Sequence, residues 1–356
     1  MINLHPIALA SSTGTDVLNT PAPGNSSVFA EKVSKQYFGV NVEANLLACE
    51  RDQIFKLKAV DDTEYLLRFT NTAESRLVSN LQTEVMLYAA RVDPGLKIPR
   101  VIKSVDNKSE VLIEMENGEY SLVRMISFLP GKTLSNRCNI SNVLIRSIAQ
   151  NIARFDLALR EFDHPSADHK IQWDLMHASD LSELVGDIDD IDRRELVGKG
   201  LNAFKRFALP ALQKLRSQLI HNDLNPSNFL VDEADSNRIT GIIDFGDVVR
   251  TPLINEVGIA ATYLLDDSED PLGPAIQFVS AYHDVIPLER AELEILYDLI
   301  VTRLVMSILL AESRAKRYPK NRQYILRHTP SAWSGLKRLS KISREKGQSE
   351  FLRACT

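Results

Sequence analysis

The chain has few of the residues that build extracellular scaffolds or metal clusters. Its 356 residues include only three cysteines, Cys49, Cys138 and Cys355, which are odd in number and far apart. That spacing excludes a disulfide framework and a C-x-x-C metal site, and it is typical of proteins from a reducing compartment. We therefore expect a cytoplasmic protein.

Long apolar runs and a strong charge bias are also missing. The longest apolar stretch, LIVTRLVMSILLA at 299–311, is too short to span a bilayer and contains Arg303, so it predicts a buried helix. The net charge is -5, from 42 basic and 47 acidic residues. Such a balance gives no electrostatic reason to bind nucleic acid or an anionic membrane, and neither is expected as a partner.

The hydrophobic pattern divides the chain into regions of different secondary structure. Residues 1–27 are rich in Ser, Thr, Pro, Gly and Asn and predict a flexible arm. Between 28 and 127, strand-like runs surround one helix pattern near 74–92, which predicts a five-stranded antiparallel sheet with a helix. After the Pro-Gly pair of the predicted hinge, 128–134, helical spacing dominates 135–356. We expect an α+β fold with two lobes and a ligand between them.

The strongest functional signal is the polar loop within LIHNDLNPSNFLVDE (219–233). His221 and Asp223 are followed by Asn228, and an apolar strand ends sixteen residues later at Asp244. Phosphoryl transfer needs a carboxylate that accepts the hydroxyl proton and oxygen ligands for Mg²⁺ at the nucleotide phosphates. Asp223 is therefore predicted to be the base, and Asn228 and Asp244 the metal ligands. An Asx-rich turn without chemistry is the alternative.

These residues follow the H-R-D-x-x-x-x-N … D-F-G pattern of protein kinases, with Asn222 in place of the arginine. HNDLNPSNFLV and GIIDFGDVVRTPLINEVGIAATYLL together resemble the aminoglycoside phosphotransferase and choline kinase superfamily, which are small-molecule kinases. Scattered similarities in ERDQIF, EYLLRFTN, SFLPGKTL and IQWDL place the chain nearest the hydroxylysine kinase group. The resemblance covers about residues 30–340 and implies a bilobal protein-kinase-like fold.

The resemblance also implies a nucleotide site in the N-lobe. The family's phosphate-contacting lysine falls on Arg68, and its partner on the helix falls on Glu84. A guanidinium keeps the charge but is longer and planar, so phosphate positioning is expected to differ. The loop CERDQIF (49–55) lacks the glycines of the protein-kinase loop, and Asp52 and Gln53 are expected to order it through their side chains.

The hinge segment ISFLPG corresponds to the family's purine contact. There the family presents backbone N–H and C=O groups to the purine edge, and Ser127 and Leu129 occupy the matching positions. Backbone contacts leave no mark on a sequence, so this assignment rests on the resemblance. ATP or GTP is the expected co-substrate, with Mg²⁺ as the cofactor.

The remaining candidates surround the predicted catalytic loop. Asp247 is expected either to hold a substrate amine or to cap the next helix, and Asp174 is a second acidic candidate. Arg303 is a candidate for a substrate carboxylate, or for a structural ion pair, since a buried arginine must be paired. His221 and Glu256 are expected to support the loop.

Taken together, the sequence predicts a kinase that moves the γ-phosphoryl group of ATP or GTP to a hydroxyl of an amino alcohol or hydroxy-amino acid. A hydroxylysine-like acceptor is the first choice, and homoserine, choline, ethanolamine and aminoglycosides are the alternatives. The departure at Arg68 keeps a second hypothesis open, a nucleotide-binding pseudokinase with a regulatory role. A monomer or a homodimer is expected.

Overall fold

The computed structural model describes residues 20–49, 51–134, 140–266 and 268–356. Residues 1–19 of the predicted arm, and Cys138, lie outside this range. The chain divides into two compact units. The first comprises Met1–Pro94, Ile98–Leu129 and His164–Gln172, and the second comprises Gly95–Lys97, Pro130–Asp163 and Trp173–Thr356.

The first unit is an antiparallel sheet with two helices. Along the chain its elements are α1 (Ser27–Phe38), β1 (Val42–Leu47), β2 (Gln53–Ala59), β3 (Glu64–Phe69), α2 (Arg76–Val92), β4 (Val101–Ile102), β5 (Val111–Glu114) and β6 (Tyr120–Ser127). The strand order is β1-β2-β3-β6-β4, and β5 also pairs with β6. The α+β class is confirmed, although the sheet has six strands where five were expected. The eight-residue β6 is long enough to pair with two short strands in succession.

Apolar residues that alternate along the strands build the core of this unit. Phe55 and Leu57 of β2 are buried with Phe69 of β3, and α1 covers them with Val33 and Phe38. Such alternation places every second side chain on the same face of a sheet. Helix α1 begins at its cap Ser26, whose side chain accepts the N–H of Phe29, and it ends at Gly39, which has a left-handed φ of 73°.

The segment before α1 is held against the sheet. Asn25 is buried, its backbone and side-chain N–H groups both donate to Gln53 Oε1 at 2.9 and 3.0 Å, and Gln53 Nε2 donates back to Asn25 O at 2.8 Å. The predicted arm therefore includes residues that the structure joins to β2.

The second unit is mainly helical and carries three short ladders of strands. Its strands are β7 (Lys132–Thr133), β8 (Ser217–Ile220), β9 (Phe229–Val231), β10 (Ile239–Ile242) and β11 (Val249–Pro252). Its helices are α3 (Asn142–Leu159), α4 (Ile191–Ala203), α5 (Leu209–Leu212), α6 (Ile254–Thr262), α7 (Gly273–His283), α8 (Arg290–Arg317), α9 (Arg322–Ile325), α10 (Thr329–Leu339) and α11 (Arg344–Ala354). A 3₁₀ segment covers Leu175–Asp187, and a π-helical turn covers Phe204–Ala208. β8 pairs with β11, and β9 pairs with both β10 and β7.

Helix α8 is the central element of the second unit. It has 28 residues, contains the apolar stretch 299–311, and packs against α6, α10, α11 and the 3₁₀ segment. Its middle is buried, as the sequence predicted. Within the described residues, no helix is both long enough and apolar enough to cross a membrane.

The approach of α11 to α8 depends on a glycine. A Cβ placed on Gly347 would lie 2.2 Å from Cδ2 of Tyr297. The Tyr297 ring cannot easily move aside, because its hydroxyl donates to Leu339 O at 2.7 Å and to Ile342 O at 3.1 Å. The two helices can therefore approach this closely only because residue 347 has no side chain.

We expect Gly347→Ala to lower the free energy of unfolding by about 1–3 kcal/mol, which is the usual effect of overpacking a filled interface. The measurement is chemical denaturation. Gly198→Ala is the matched control, because Gly198 lies in α4 with no atom within 4 Å of an added Cβ. There the higher helix propensity of alanine should raise stability by about 0.5–1 kcal/mol. Equal stability changes in the two variants would contradict the interpretation.

Candidate active site

Two pairs of strands position the predicted catalytic loop. The loop 221–228 leaves β8 and enters β9, and β9 pairs with β10 so that Phe229 lies opposite Ile242. One residue beyond β10, the N–H of Ile243 donates to Asn228 O at 3.0 Å. This bond places Asn228 beside the residue that follows Ile243, which is Asp244. The structure thus brings together the loop and the DFGD segment that the sequence singled out.

His221 links the predicted catalytic loop to the DFGD segment. It is fully buried, and its Nε2 donates to Ile243 O at 3.0 Å, while its Nδ1 accepts the N–H of Asp223 at 3.4 Å. The ring also packs against Phe155 and Phe245. Within the described residues, both hydrogen bonds of the imidazole are to backbone groups, so the geometry fits a structural role rather than a catalytic one.

Glu256, on α6, holds the entrance of the loop. Its two carboxylate oxygens accept the N–H groups of His221 and Asn222, each at 2.9 Å. Asn222 has a φ of 64°, in the left-handed region that asparagine tolerates better than most residues. Burial raises the pKa of Glu256, whereas the nearby His221 and the two backbone N–H donors lower it. The carboxylate therefore fixes the turn after which Asp223 emerges.

Both carboxylate oxygens of Asp223 accept hydrogen bonds, but the side chain stays partly exposed. Its Oδ2 accepts from Nδ2 of Asn225 and of Asn228, each at 3.0 Å, and its Oδ1 accepts from Nη2 of Arg303 at 3.1 Å. Its side chain is 24% exposed, which leaves it accessible to a small molecule. Burial, followed by the charge of Asp247, raises the pKa of Asp223 to about 7 against the opposing charge of Arg303. Asn225 was not a predicted site residue, and nothing distinguishes it in sequence from an ordinary loop asparagine.

Arg303 is the cation that faces Asp223. Its side chain is 1% exposed and also donates to Trp173 O at 3.0 Å and to the hydroxyl of Tyr263 at 3.4 Å. The guanidinium lies over the ring of Trp173, 5.1 Å from its centroid, and 5.9 Å from that of Tyr263. Of the two roles open for Arg303, the enclosed geometry favours the ion pair over a substrate contact. The sequence shows an arginine inside an apolar helix, which indicates that Arg303 needs a partner. It does not show which residue that partner is.

Asn228 and Asp244 have the atoms that a magnesium ion requires. Nδ2 of Asn228 donates to O of Asp223 at 2.7 Å and to Oδ2 of the same residue, while its Oδ1 has no hydrogen-bond donor among the described residues. Asp244 is exposed and accepts the N–H of Gly246 at 3.3 Å. No group of three or more His, Cys, Asp or Glu side chains in the described ranges is arranged to hold a metal ion. One amide and one carboxylate, completed by phosphate oxygens, is nonetheless a donor set that fits Mg²⁺.

The two acidic substrate candidates have different environments. Asp247 is buried in the short turn 245–247, close enough to Asp223 to raise the pKa of that residue. Asp174 caps the 3₁₀ segment, and its Oδ1 accepts from Met176 N, Thr251 Oγ1 and Asn255 Nδ2 at 3.0, 2.9 and 3.4 Å. Burial raises the pKa of Asp174. These contacts give Asp174 a structural part, whereas Asp247 adds negative charge beside Asp223.

The predicted nucleotide residues lie in the first unit. Arg68 forms an ion pair with Asp52, and Gln53 is bonded to Asn25 as described above. Glu84, on α2, is partly buried and makes no hydrogen bond or ion pair with any described residue. The structure therefore does not join Arg68 to Glu84.

Ser127 and Leu129 are the two residues of the predicted purine contact. Ser127 closes β6, and its Oγ accepts the N–H of Arg100 at 2.9 Å, while its own N–H donates to Arg100 O at 2.8 Å. Leu129 is partly buried. Since the backbone N–H of Ser127 is already used, a purine contact through that particular group would require an exchange of partners.

Comparisons with known proteins agree with this fold. The curated relatives include proteins named hydroxylysine kinase. The one from Mus musculus is 28% identical over 335 residues, covering 88% of this chain and 86% of the relative. The protein from Bos taurus is 24% identical over 360 residues, covering 95% of each.

Solved structures show the same fold at lower identity. A microcompartment-associated aminopropanol kinase is similar with a TM-score of 0.67 and 18% identity, over 92% of this chain and all of that one. The amicoumacin kinase hAmiN, solved with AMP-PNP, Ca²⁺ and Ami, gives a TM-score of 0.64 and 17% identity, over 91% of this chain and 94% of that one.

The family is established by sequence. Residues 48–295, more than half of the chain, match the phosphotransferase enzyme family. The protein-kinase-like α+β fold expected from the sequence is confirmed by these similarities. The chain belongs to the phosphotransferase enzyme family, and it is a small-molecule phosphotransferase with an alcohol group as acceptor.

Proposed function

We propose that the chain transfers the γ-phosphoryl group of ATP or GTP to a hydroxyl of an amino alcohol or hydroxy-amino acid, with hydroxylysine as the first acceptor to test. The observation that carries the proposal is Asp223, a partly exposed carboxylate fixed by Asn228 and Arg303 next to Asp244. The names of the curated relatives point to hydroxylysine.

Asp223 acts as the base in this proposal. An acceptor hydroxyl donates its hydrogen bond to the carboxylate. As its oxygen bonds to the γ-phosphorus, the bond from that phosphorus to the β–γ bridging oxygen breaks, the nucleoside diphosphate leaves, and the hydroxyl proton passes to an Asp223 oxygen. Asn225, Asn228 and Arg303 bind the carboxylate from the protein side and restrict its rotation. Because these partners are present before substrate arrives, the base is held in one orientation.

Asn228 and Asp244 would hold Mg²⁺, which when bound neutralises the phosphate oxygens and orients the transferred group. The Oδ1 of Asn228 suits this part because the Nδ2 of the same amide is already bound to Asp223, while the oxygen has no donor among the described residues. The exposed carboxylate of Asp244 follows Ile243, whose backbone N–H is bonded to Asn228 O.

The charge around Asp223 supports an amine-bearing acceptor. Asp244 and Asp247 both lie close enough to raise the pKa of Asp223, and Arg303 is the cation that opposes them. An ammonium group near this carboxylate cluster would be attracted, whereas an acceptor with only anionic groups would be repelled. This argument supports hydroxylysine, homoserine, choline, ethanolamine and aminoglycosides alike, and it does not rank them.

Acceptor identity and the base can be tested in one coupled assay of nucleotide turnover. We expect turnover with 5-hydroxylysine, compared against homoserine, choline, ethanolamine and an aminoglycoside. Asp223→Asn should lower kcat by about 10²–10⁴-fold, the usual contribution of a general base. Asp235→Asn, in the exposed turn between β9 and β10, should keep the activity of the unmodified chain.

The two parts of this proposal fail separately. Nearly unchanged kcat in Asp223→Asn would overturn the base assignment. Absence of turnover with every acceptor, together with Mg²⁺-dependent nucleotide binding, would instead favour the regulatory pseudokinase, for which the altered ion pair of Arg68 is the motivating observation.

Arg303 offers a second test, because it touches Asp223 but is closed to solvent. We expect Arg303→Ala to lower kcat by about 10–100-fold while the KM for nucleotide changes by less than about threefold, since a displaced catalytic group commonly costs about 10²-fold. Millimolar guanidinium should restore part of the lost activity by filling the space between Trp173 and Tyr263.

The control for rescue is Asp223→Asn, which guanidinium should not restore. Thermal unfolding of Arg303→Ala monitors the fold, because removing one partner of a buried ion pair can destabilise a protein by about 3–5 kcal/mol. A rise in nucleotide KM with kcat unchanged would contradict the assigned part of Arg303.

A further inference from the structure

The carboxylate that forms an ion pair with Arg68 lies in the turn between β1 and β2. Asp52, in that turn, is 4% exposed and forms an ion pair with Nη2 of Arg68, whose side chain is 14% exposed. The other oxygen of Asp52 accepts the N–H of Asn71 at 2.7 Å, just beyond the end of β3. Nδ2 of Asn71 in turn donates to Arg51 O at 2.7 Å. One buried carboxylate thus joins the turn to both the side chain and the end of β3.

Helix α2 is attached to the sheet by a different arginine. Arg124 on β6 lies directly opposite Arg68 in the antiparallel register. Its Nη1 donates to Ser79 O at 3.1 Å and to Thr83 Oγ1 at 2.9 Å, and its Nη2 donates to Gln82 Oε1 at 2.8 Å. All three acceptors belong to α2.

Two guanidinium groups that face each other across a strand pair repel unless each has its own acceptors. Here the acceptors are divided: Arg68 pairs with Asp52, whereas Arg124 donates to the side of α2 and lies 4.0 Å from the carboxylate of Glu110. Glu84 has no such bond among the described residues. The helix carboxylate that the family resemblance assigns to the phosphate-binding cation is therefore not engaged with it.

We propose that Asp52 is the residue that positions Arg68 for the nucleotide phosphates, in the place expected for Glu84, while Arg124 separately holds α2 against the sheet. The proposal deepens the nucleotide site and rests on the proposed function. It also explains why position 68 has an arginine where the family has a lysine. A guanidinium carries five N–H donors in a planar fork and binds two anions at once, whereas a lysine ammonium acts as a compact point charge.

The test compares two conservative variants by direct binding of Mg²⁺–AMP-PNP in a calorimeter, without any acceptor. We expect Asp52→Asn to raise the Kd by about tenfold, the scale of one charge-assisted hydrogen bond. Glu84→Gln should leave the Kd within about twofold, because Glu84 makes no hydrogen bond or ion pair with a described residue. Arg68→Lys should raise the Kd by about as much as Asp52→Asn, since it keeps the charge and loses the fork.

A double variant shows whether Asp52 acts through Arg68. Asp52→Asn with Arg68→Lys should bind about as weakly as either single variant, because residues in one ion pair are not additive. Additive losses would overturn the proposal, and so would a large effect of Glu84→Gln beside a small effect of Asp52→Asn. A lower Kd in Asp52→Asn would also overturn it, by showing that Asp52 competes with phosphate.

Failure of the proposed function has a different signature. In that case the unmodified chain turns over no acceptor in the coupled assay. If it still binds Mg²⁺–AMP-PNP, the comparison among the variants continues to test Asp52, and if it does not bind, the nucleotide site proposed here is overturned as well. Thermal unfolding of Asp52→Asn checks the turn, whose remaining amide oxygen still accepts the N–H of Asn71. If that variant keeps its Tm and loses affinity, the effect belongs to Arg68 rather than to folding.

Discussion

The candidate active site depends on the buried carboxylate of Glu256. Its two oxygens accept two consecutive backbone N–H groups, those of His221 and Asn222, which is possible only because the chain turns through a left-handed residue at Asn222. Two buried N–H groups without acceptors would each cost about 1–3 kcal/mol. The carboxylate removes that cost and fixes the direction in which Asp223 leaves the turn. Every contact of Asp223 described above presupposes that direction.

Fixing the loop in this way concentrates negative charge. Asp156 on α3 is fully buried near Glu256, and burial together with that neighbour raises its pKa well above the ordinary value. The hydroxyl of Tyr282 donates to Asp156 at 2.6 Å. A proton retained by this group limits the repulsion inside the unit. Around Asp223 the charge that opposes the neighbouring carboxylates is that of Arg303.

The parts of the site that are close in sequence were predictable, and those that depend on packing were not. His221, Asp223 and Asn228 share one loop, so their spacing alone places them together, and Asp244 follows from the next strand. Arg303 is 80 positions from Asp223 and reaches it only because α8 passes behind the loop. The interaction of an arginine with a carboxylate could be foreseen from its burial, but the choice of carboxylate could not. The sixth strand was missed for a similar reason, since pairing of two short segments with β6 depends on their tertiary placement.

The two departures in the first unit are explained together. A glycine-rich loop approaches phosphate through backbone N–H groups because glycine has no Cβ in the way. The turn here has Arg51 and Asp52 instead, so close backbone approach is traded for a side-chain connection from Asp52 to Arg68 and Asn71. A lysine at 68 would offer one compact charge for both Asp52 and a phosphate, whereas a guanidinium can bind the two on different edges. An arginine in the lysine position and an aspartate in a loop without glycines are each unfavourable alone, but in our proposal the pair they form serves as one phosphate-binding arrangement.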